Sequence, residues 1–271
     1  MNTREKLKGK KRIVIKIGTS SLTFPNGKLN FQRMEKLVNV LYEVQSSGKE
    51  VLLVSSGAVA VGAGRLGLEK RPESLVEKQA MAALGQAELI KIYQKFFDEH
   101  QQLVAQVLLT KDAITNYKKR IIARDALFTL TGMRIIPIVN ENDTVSTEGI
   151  EFGDNDTLSA YVSELVEADL LILLSDIDGL FSADPHTDPQ ASIIPLVDDI
   201  SPAIEALASG SGSSFSTGGM ATKIAAAKIC MEAGIDMVIA NSINPSAIHD
   251  ILRGETVGTL FLFSNKAEMK A

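Results

Sequence analysis

The chain has 271 residues, 45% of them hydrophobic and 23% charged, with a formal net charge of −5; this balance is that of an ordinary globular protein and excludes wholesale disorder and fibrous designs. A pI near 5.4 gives no overall basic field, which speaks against non-specific nucleic-acid binding. The single cysteine, Cys230, rules out an intrachain disulfide and a multi-cysteine zinc site.

At this length the chain buries about three-quarters of its unfolded surface, enough for a sizeable core. The start, MNTREKLKGKKR, is charged. The apolar run after it is too short for a signal sequence or a membrane span, so a cytoplasmic protein with no membrane partner is expected. That run, IVIKI (13–17), is the first predicted strand, and VLLV (51–54) is the second. Between them Met34, Leu37, Val38, Leu41 and Val44 share one helical face, with Asn30 as N-cap and Gly48 as stop, which makes a βαβ unit.

The pattern recurs through LVAQVLL (103–109), RIIPIV (134–139), LLILL (170–174) and MVIA (237–240), separated by helical material around 73–98, 117–131, 155–167 and 220–233. These runs lack the polar alternation of a one-sided sheet, so their strands are expected to be covered on both faces. The architecture that follows is α/β, a three-layer α/β/α sandwich with a central, mostly parallel sheet. No internal repeat is present. The Ser/Gly-rich ASGSGSSFSTGG (208–219) is the nearest thing to a linker, and TVSTEGIEFGDND (144–156) is predicted to be an inserted hairpin or lid.

Open α/β sheets bind ligands beyond the carboxyl ends of their strands, so the residues after each run matter most. Lys16 sits inside an apolar strand and precedes Gly18, which would let an anion approach the backbone; the plainer alternative is an edge lysine whose head reaches water. Ser55, Ser56 and Gly57 open a helix of small residues, as an anion cradle or as a simple N-cap. GAGRLG (62–67) matches the dinucleotide fingerprint too far from its strand to be one, and no P-loop occurs. NENDT (140–144) and GDNDTLSA (153–160) read either as a solvated turn and an N-cap, or as a pocket in which Asp143 pairs with a ligand ammonium and Asn155 hydrogen-bonds it. STGGMATK (216–223) offers glycine N–H groups, a helix start and Lys223 to a polyphosphate, or is a loop followed by a surface lysine. His100, His186 and His249 do not assemble into a triad or a metal site.

Taken in order, VIKIGTSSL, VSSGAVAVG, VNENDTV, FGDNDTLSA, LLSDIDGLFSADP and STGGMATK resemble the amino acid kinase family over roughly residues 10 to 262. The resemblance implies one domain over 1–271 that transfers the γ-phosphoryl of ATP to the side-chain carboxylate of L-glutamate. About 1–165 would bind glutamate and about 166–271 would bind ATP. It further implies that Lys16 and Lys223 neutralise charge on the transferred group, and that Asp156 orients both lysines. Ser56, Gly57, Asp143 and Asn155 would lie at glutamate. Lys16, Ser175, Asp176, Thr217, Gly218, Gly219, Met220, Ala221, Thr222 and Lys223 would lie at ATP. Serine stands at 175 where threonine is common in the family, and keeps the hydroxyl.

Mg²⁺ is expected on the phosphates rather than on a set of protein ligands. A carboxylate acceptor is already ionised at neutral pH, so no general base is required, which agrees with the absence of a histidine constellation. The family also implies feedback by proline and a homo-oligomer, dimer or tetramer. The PUA domain that follows the kinase domain in many bacterial relatives is expected to be absent, because the chain ends soon after VGTLFLF. Acetylglutamate kinase, aspartokinase and uridylate kinase share the implied architecture; an N-acetylated acceptor has no need of the acidic NENDT and GDND, and a nucleotide acceptor calls for more basic residues. A non-catalytic amino-acid or nucleotide sensor on the same fold is the alternative from another class, and the joint presence of Lys16, Asp156 and Lys223 speaks against it.

Overall fold

A computed structural model describes residues 3–24, 26–68, 70, 72–145, 155–185, 187–208 and 219–263. After a 3-10 helix (Thr3–Gly9) come β1 (Arg12–Ile17), α1 (Thr19–Leu22), α2 (Phe31–Ser46), β2 (Glu50–Ser55), α3 (Ala58–Leu66), α4 (Leu75–Asp98) and β3 (Val104–Leu109). Then follow α5 (Lys111–Thr115), α6 (Tyr117–Gly132), β4 (Ile136–Glu141), α7 (Asn155–Leu165), β5 (Leu170–Ser175) and β6 (Leu196–Val197). The last elements are α8 (Pro202–Ala208), α9 (Met220–Ala233), β7 (Asp236–Asn241), α10 (Ala247–Leu252) and β8 (Thr259–Phe261).

The strands form one eight-stranded sheet in the order β3-β4-β2-β1-β5-β7-β8-β6. Every pairing is parallel except β7 with β8. The expected α/β/α sandwich is therefore present, with the six expected strands at its centre. The structure adds β6 and β8 beyond them.

Side-chain parity explains the layers. On β1, Ile13, Ile15 and Ile17 pack with Leu37 and Leu41 of α2, Val61 of α3, Leu89 of α4 and Ile248 of α10. Val14 points the other way, into a second cluster with Leu127 of α6, Leu158 of α7 and Ile224 of α9. A strand covered on both faces needs apolar residues at consecutive positions, which is why the runs of β1, β2, β4, β5 and β7 lack alternation; β3, at the sheet edge, departs from the expected two-sided cover and leaves Leu108 exposed. Asn30 caps α2 as expected, its side chain accepting from the Arg33 N–H. Gly48 follows the end of that helix at φ +96°, a conformation other residues rarely adopt.

GAGRLG has a packing role instead of a nucleotide role. A Cβ on Gly62 would lie 2.0 Å from the Met81 carbonyl oxygen, and one on Gly85 1.8 Å from that of Ala58, so α3 and α4 touch backbone to backbone. Most of the predicted hairpin or lid at 144–156 and nearly all of the Ser/Gly-rich stretch at 208–219 lie outside the described residues.

Candidate active site

Parallel alignment brings the carboxyl ends of β1, β2, β4, β5 and β7 to one edge of the sheet. By parity Lys16 shares the α7 and α9 face with Val14, and is 7% exposed. Its partner comes from the first turn of α7, where Asp156 is fully buried. Lys16 Nζ lies 2.5 Å from Asp156 Oδ1, and Lys223 Nζ lies 3.0 Å from Asp156 Oδ2. The Thr222 hydroxyl donates to the same Oδ2 at 3.1 Å.

Burial pushes the Asp156 carboxyl up, but the two ammonium charges outweigh it and pull its pKa down to about 2. The surface alternative for Lys223 fails, because it is 3% exposed. Lys16 likewise does not snorkel to water: it ends on a buried carboxylate. Among the described residues two ammonium groups meet this carboxylate, and Lys16 of the cluster lies beside Gly18. A Cβ there would come to 3.9 Å from Lys16 Nζ and, among the described residues, meet nothing closer, so none of these closes that flank of the lysine.

A second group of polar side chains lies over the ends of β2 and β4. Asn155 Nδ2 donates to the Ser55 carbonyl at 3.1 Å, to Ser56 Oγ at 3.0 Å and to Asn140 Oδ1 at 2.8 Å. Asn140 Nδ2 in turn donates to Gln86 Oε1 of α4 at 2.8 Å. The Tyr93 hydroxyl, also from α4, pairs with Ser55 Oγ at 2.9 Å, and burial pushes its phenol far above the ordinary range. Gly57, at φ +107°, makes the turn from β2 into α3 and brings that turn against Thr19. Asp143 lines a cleft of about 280 Å³ with Gln86, Gln106, Leu108 and Glu141, and burial raises its carboxyl to about 6.

The third group is at the ends of β5 and β7. Ser175 Oγ donates to Asp176 Oδ1 at 3.0 Å, and the Ser175 carbonyl accepts from the Ser242 N–H at 2.7 Å. Gly219 caps α9, and among the described residues a Cβ on it would meet nothing within 4 Å, so none of these closes the start of that helix to a bulky neighbour. Met220 is half-buried and Ala221 exposed on the same turn. Thr217 and Gly218 fall outside the described residues.

The structure thus joins Lys16, Asp156 and Lys223 directly, and joins Ser56 to Asn155. Gly57 and Asp143 line the same side, while Ser175, Asp176 and Gly219–Thr222 line the other. Sequence reasoning singled out Ser55 with Ser56 and Gly57 but missed Gln86, Tyr93 and Asn140 as neighbours of the candidate site. Asn140 stood inside the quoted NENDT, and Gln86 occupies a helical position between the buried Ala82 and Leu89 where an apolar residue is expected. His100 contacts Asn39 and stacks on Tyr42, His249 contacts Glu43, and His186 is not among the described residues. Among the described residues no helix is long and apolar enough to cross a membrane, and no group of His, Cys, Asp or Glu has the arrangement of a metal site.

The family described as the amino acid kinase family matches residues 11–241. A glutamate 5-kinase of Clostridium perfringens (strain 13 / Type A) is 52% identical over 263 residues, covering 96% of this chain and 98% of its own. One of Listeria innocua serovar 6a is 53% identical over 262 residues, 95% of each chain. Among solved structures, UMP kinase from Ureaplasma parvum superposes with a TM-score of 0.65 at 15% identity over 93% of this chain and 99% of its own, a likeness of fold alone. By its matched length and by relatives this similar, the chain belongs to the amino acid kinase family.

Proposed function

We propose that the chain phosphorylates the side-chain carboxylate of L-glutamate with ATP, giving L-glutamyl 5-phosphate and ADP, the first step of proline biosynthesis. One observation carries the chemistry: two buried lysines, from β1 and α9, converge on a single carboxylate at the start of α7. A carboxylate oxygen of glutamate attacks the γ-phosphorus; the new O–P bond forms as the bond to the ADP oxygen breaks, and no proton has to move. The barrier then lies in bringing two anions together and in spreading the charge of the transferred group. Lys16 and Lys223 suit that task, and a preorganised donor of this kind contributes about 3 kcal/mol. Asp156 holds both ammonium groups at fixed positions, so they need no reorganisation when charge develops.

Glutamate is assigned to the side with Ser56, Gly57, Asp143 and Asn155. Asp143 faces the α-ammonium there, which an N-acetylated acceptor would lack. ATP is assigned to Ser175, Asp176 and the 217–223 segment, with Lys16 shared between the substrates. Accordingly about 1–165 serves the acceptor and about 166–271 the nucleotide within one domain. Two cations with an open flank at Gly18 and an open helix start at Gly219 fit a polyphosphate. Mg²⁺ bound with the phosphates would supply further charge neutralisation.

The working form is a cytoplasmic homo-oligomer, dimer or tetramer. The exposed Val76 and Leu84 of α4 and Leu108 of the edge strand β3 support this, since such surface invites a partner. Proline acts as feedback inhibitor, and unchanged activity across a proline titration would remove that part. The central test is ADP release with Mg-ATP and L-glutamate, N-acetylglutamate, aspartate or UMP, with hydroxylamine present. ADP and hydroxamate with L-glutamate alone are expected; turnover with another acceptor refutes the pocket assignment, and nucleotide binding without ADP favours a sensor.

A further inference from the structure

Three carboxamides cross all three layers at the acceptor side of the site, from Gln86 on α4 through Asn140 on β4 to Asn155 on α7. Asn140 and Asn155 are 4% and 9% exposed, so neither has water as a ready substitute partner. The direction of the relay is fixed at one end. The Ser55 carbonyl can only accept, so Asn155 must turn its amide nitrogen toward it. That nitrogen then meets Asn140, which must present its oxygen. Asn140's nitrogen is thereby left for Gln86, which must present its own oxygen. Each orientation depends on the next, and Gln86 closes the series at the wall of the cleft that Asp143 also lines.

We propose that Gln86 is a positioning residue for the amino-acid acceptor: through Asn140 it fixes the carboxamide of Asn155, and with it the Asn155 to Ser56 contact, in the orientation that receives the acceptor. This rests on the glutamate assignment above. α4 is the right element for such a task. Its backbone is pinned against α3 at Gly85, the residue before Gln86, and its Tyr93, two turns on, holds Ser55 from the same side. If the Gln86 oxygen is removed, Asn140 has a buried N–H pair without an acceptor. Rotating its amide to find one sets its nitrogen against the nitrogen of Asn155, so the disturbance passes to the residue that touches the ligand.

The test compares Gln86→Met, which removes the oxygen, with Gln86→Glu, which keeps an oxygen for Asn140, in steady-state kinetics on the full chain. For Gln86→Met, KM for L-glutamate is expected to rise about tenfold while KM for Mg-ATP stays within about twofold, the mark of lost acceptor binding. Gln86→Glu is expected to fall closer to wild type than to Gln86→Met. Unchanged KM for glutamate in Gln86→Met, equal losses in the two variants, or parallel losses for both substrates would overturn the proposal, the last by showing a general structural role. The wild type run alongside keeps the two readings apart. If it turns over another acceptor of the panel instead of glutamate, the glutamate assignment fails, and the same comparison with that acceptor decides the relay. If it turns over none, both fail.

Discussion

Lys223 stands on the fourth residue of α9, where the helix start places its ammonium against a carboxylate of the neighbouring helix α7. Removing it leaves Asp156 still paired with Lys16, so the buried negative charge keeps a partner and the fold is retained. Under the proposed mechanism what is lost is a fixed positive charge at the transferred phosphoryl. Lys223→Ala is therefore expected to lower kcat by about a hundredfold, with KM for L-glutamate little changed. Steady-state rates check this, and a near-wild-type kcat would take the lysine out of the mechanism. Asp143 gives a pH prediction of opposite character. Burial raises its pKa to about 6, so the anion that pairs with an ammonium dominates only above that value. kcat/KM for glutamate is expected to fall as pH drops through about 6, and Asp143→Asn is expected to abolish that limb along with most of the affinity. For stability the sign reverses. A carboxyl with a raised folded pKa contributes stability fully present below its ordinary pKa of 3.8 and lost as pH rises through about 6. Denaturation of Asp143→Asn should therefore show greater stability than wild type at pH 7.5, with the gain vanishing toward pH 4; equal stability at both would mean that burial does not strain the carboxylate. At this scale the sequence announced residue types better than partnerships. Lys16 was conspicuous inside its strand, but the carboxylate that answers it is 140 positions later, and nothing in IVIKIG says which acid that is. Asn140 and Gln86 were hidden because amides in a turn and in a helix have many ordinary uses.

Elements were far more legible. A strand covered on both faces prints itself as a mostly apolar run without alternation, and six of the eight were visible as such runs, although β3 at the sheet edge is only partly covered. β6 and β8 were not, because Leu196–Val197 and Thr259–Phe261 are too short to carry a period and exist through pairing with each other and with β7. The α3 and α4 pair shows the opposite case, a signal present in the sequence but left without a cause. GAGRLG is set aside there as a nucleotide fingerprint, yet Gly62 within it and Gly85 set how closely the helices approach. Gly85→Ala forces a methyl to 1.8 Å from the Ala58 carbonyl oxygen, and backbone cannot move aside as a side chain can. Overpacking of this kind costs about 3 kcal/mol. Urea unfolding is expected to show that loss, and a change under about 1 kcal/mol would mean that the helices separate freely. Because Gln86 and Tyr93 extend from the same helix, KM for glutamate should rise as α4 is displaced.

At the scale of the whole molecule the sheet order divides the chain. β3, β4, β2 and β1 form one side, all preceding α7 in the sequence; β5, β7, β8 and β6 form the other, all following it. Only β1 and β5 pair across the division, and Lys16 lies in that pairing opposite Leu173. Asp156, on the helix that comes between the two sets of strands in the sequence, binds Lys16 of β1 from before it and Lys223 of α9 from after it. Under the proposed function each side takes one substrate and the seam carries the transfer. Hydrogen exchange can read the assignment directly, since a ligand at a hundred times its Kd slows opening of the segments it stabilises by about a hundredfold. L-glutamate alone is expected to protect amides around 55–57 and 140–143. A non-hydrolysable ATP analogue with Mg²⁺ is expected to protect those around 175–178 and 219–223, and either ligand those around 16–18 and 155–157. Protection of 55–57 and 140–143 by the nucleotide as strongly as by glutamate would refute the division, because a seam shared by both ligands would then extend across the acceptor side as well. If instead the separate footprints meet only at Lys16 and Asp156, the salt-bridged lysines are where two independently filled half-sites become one reaction centre.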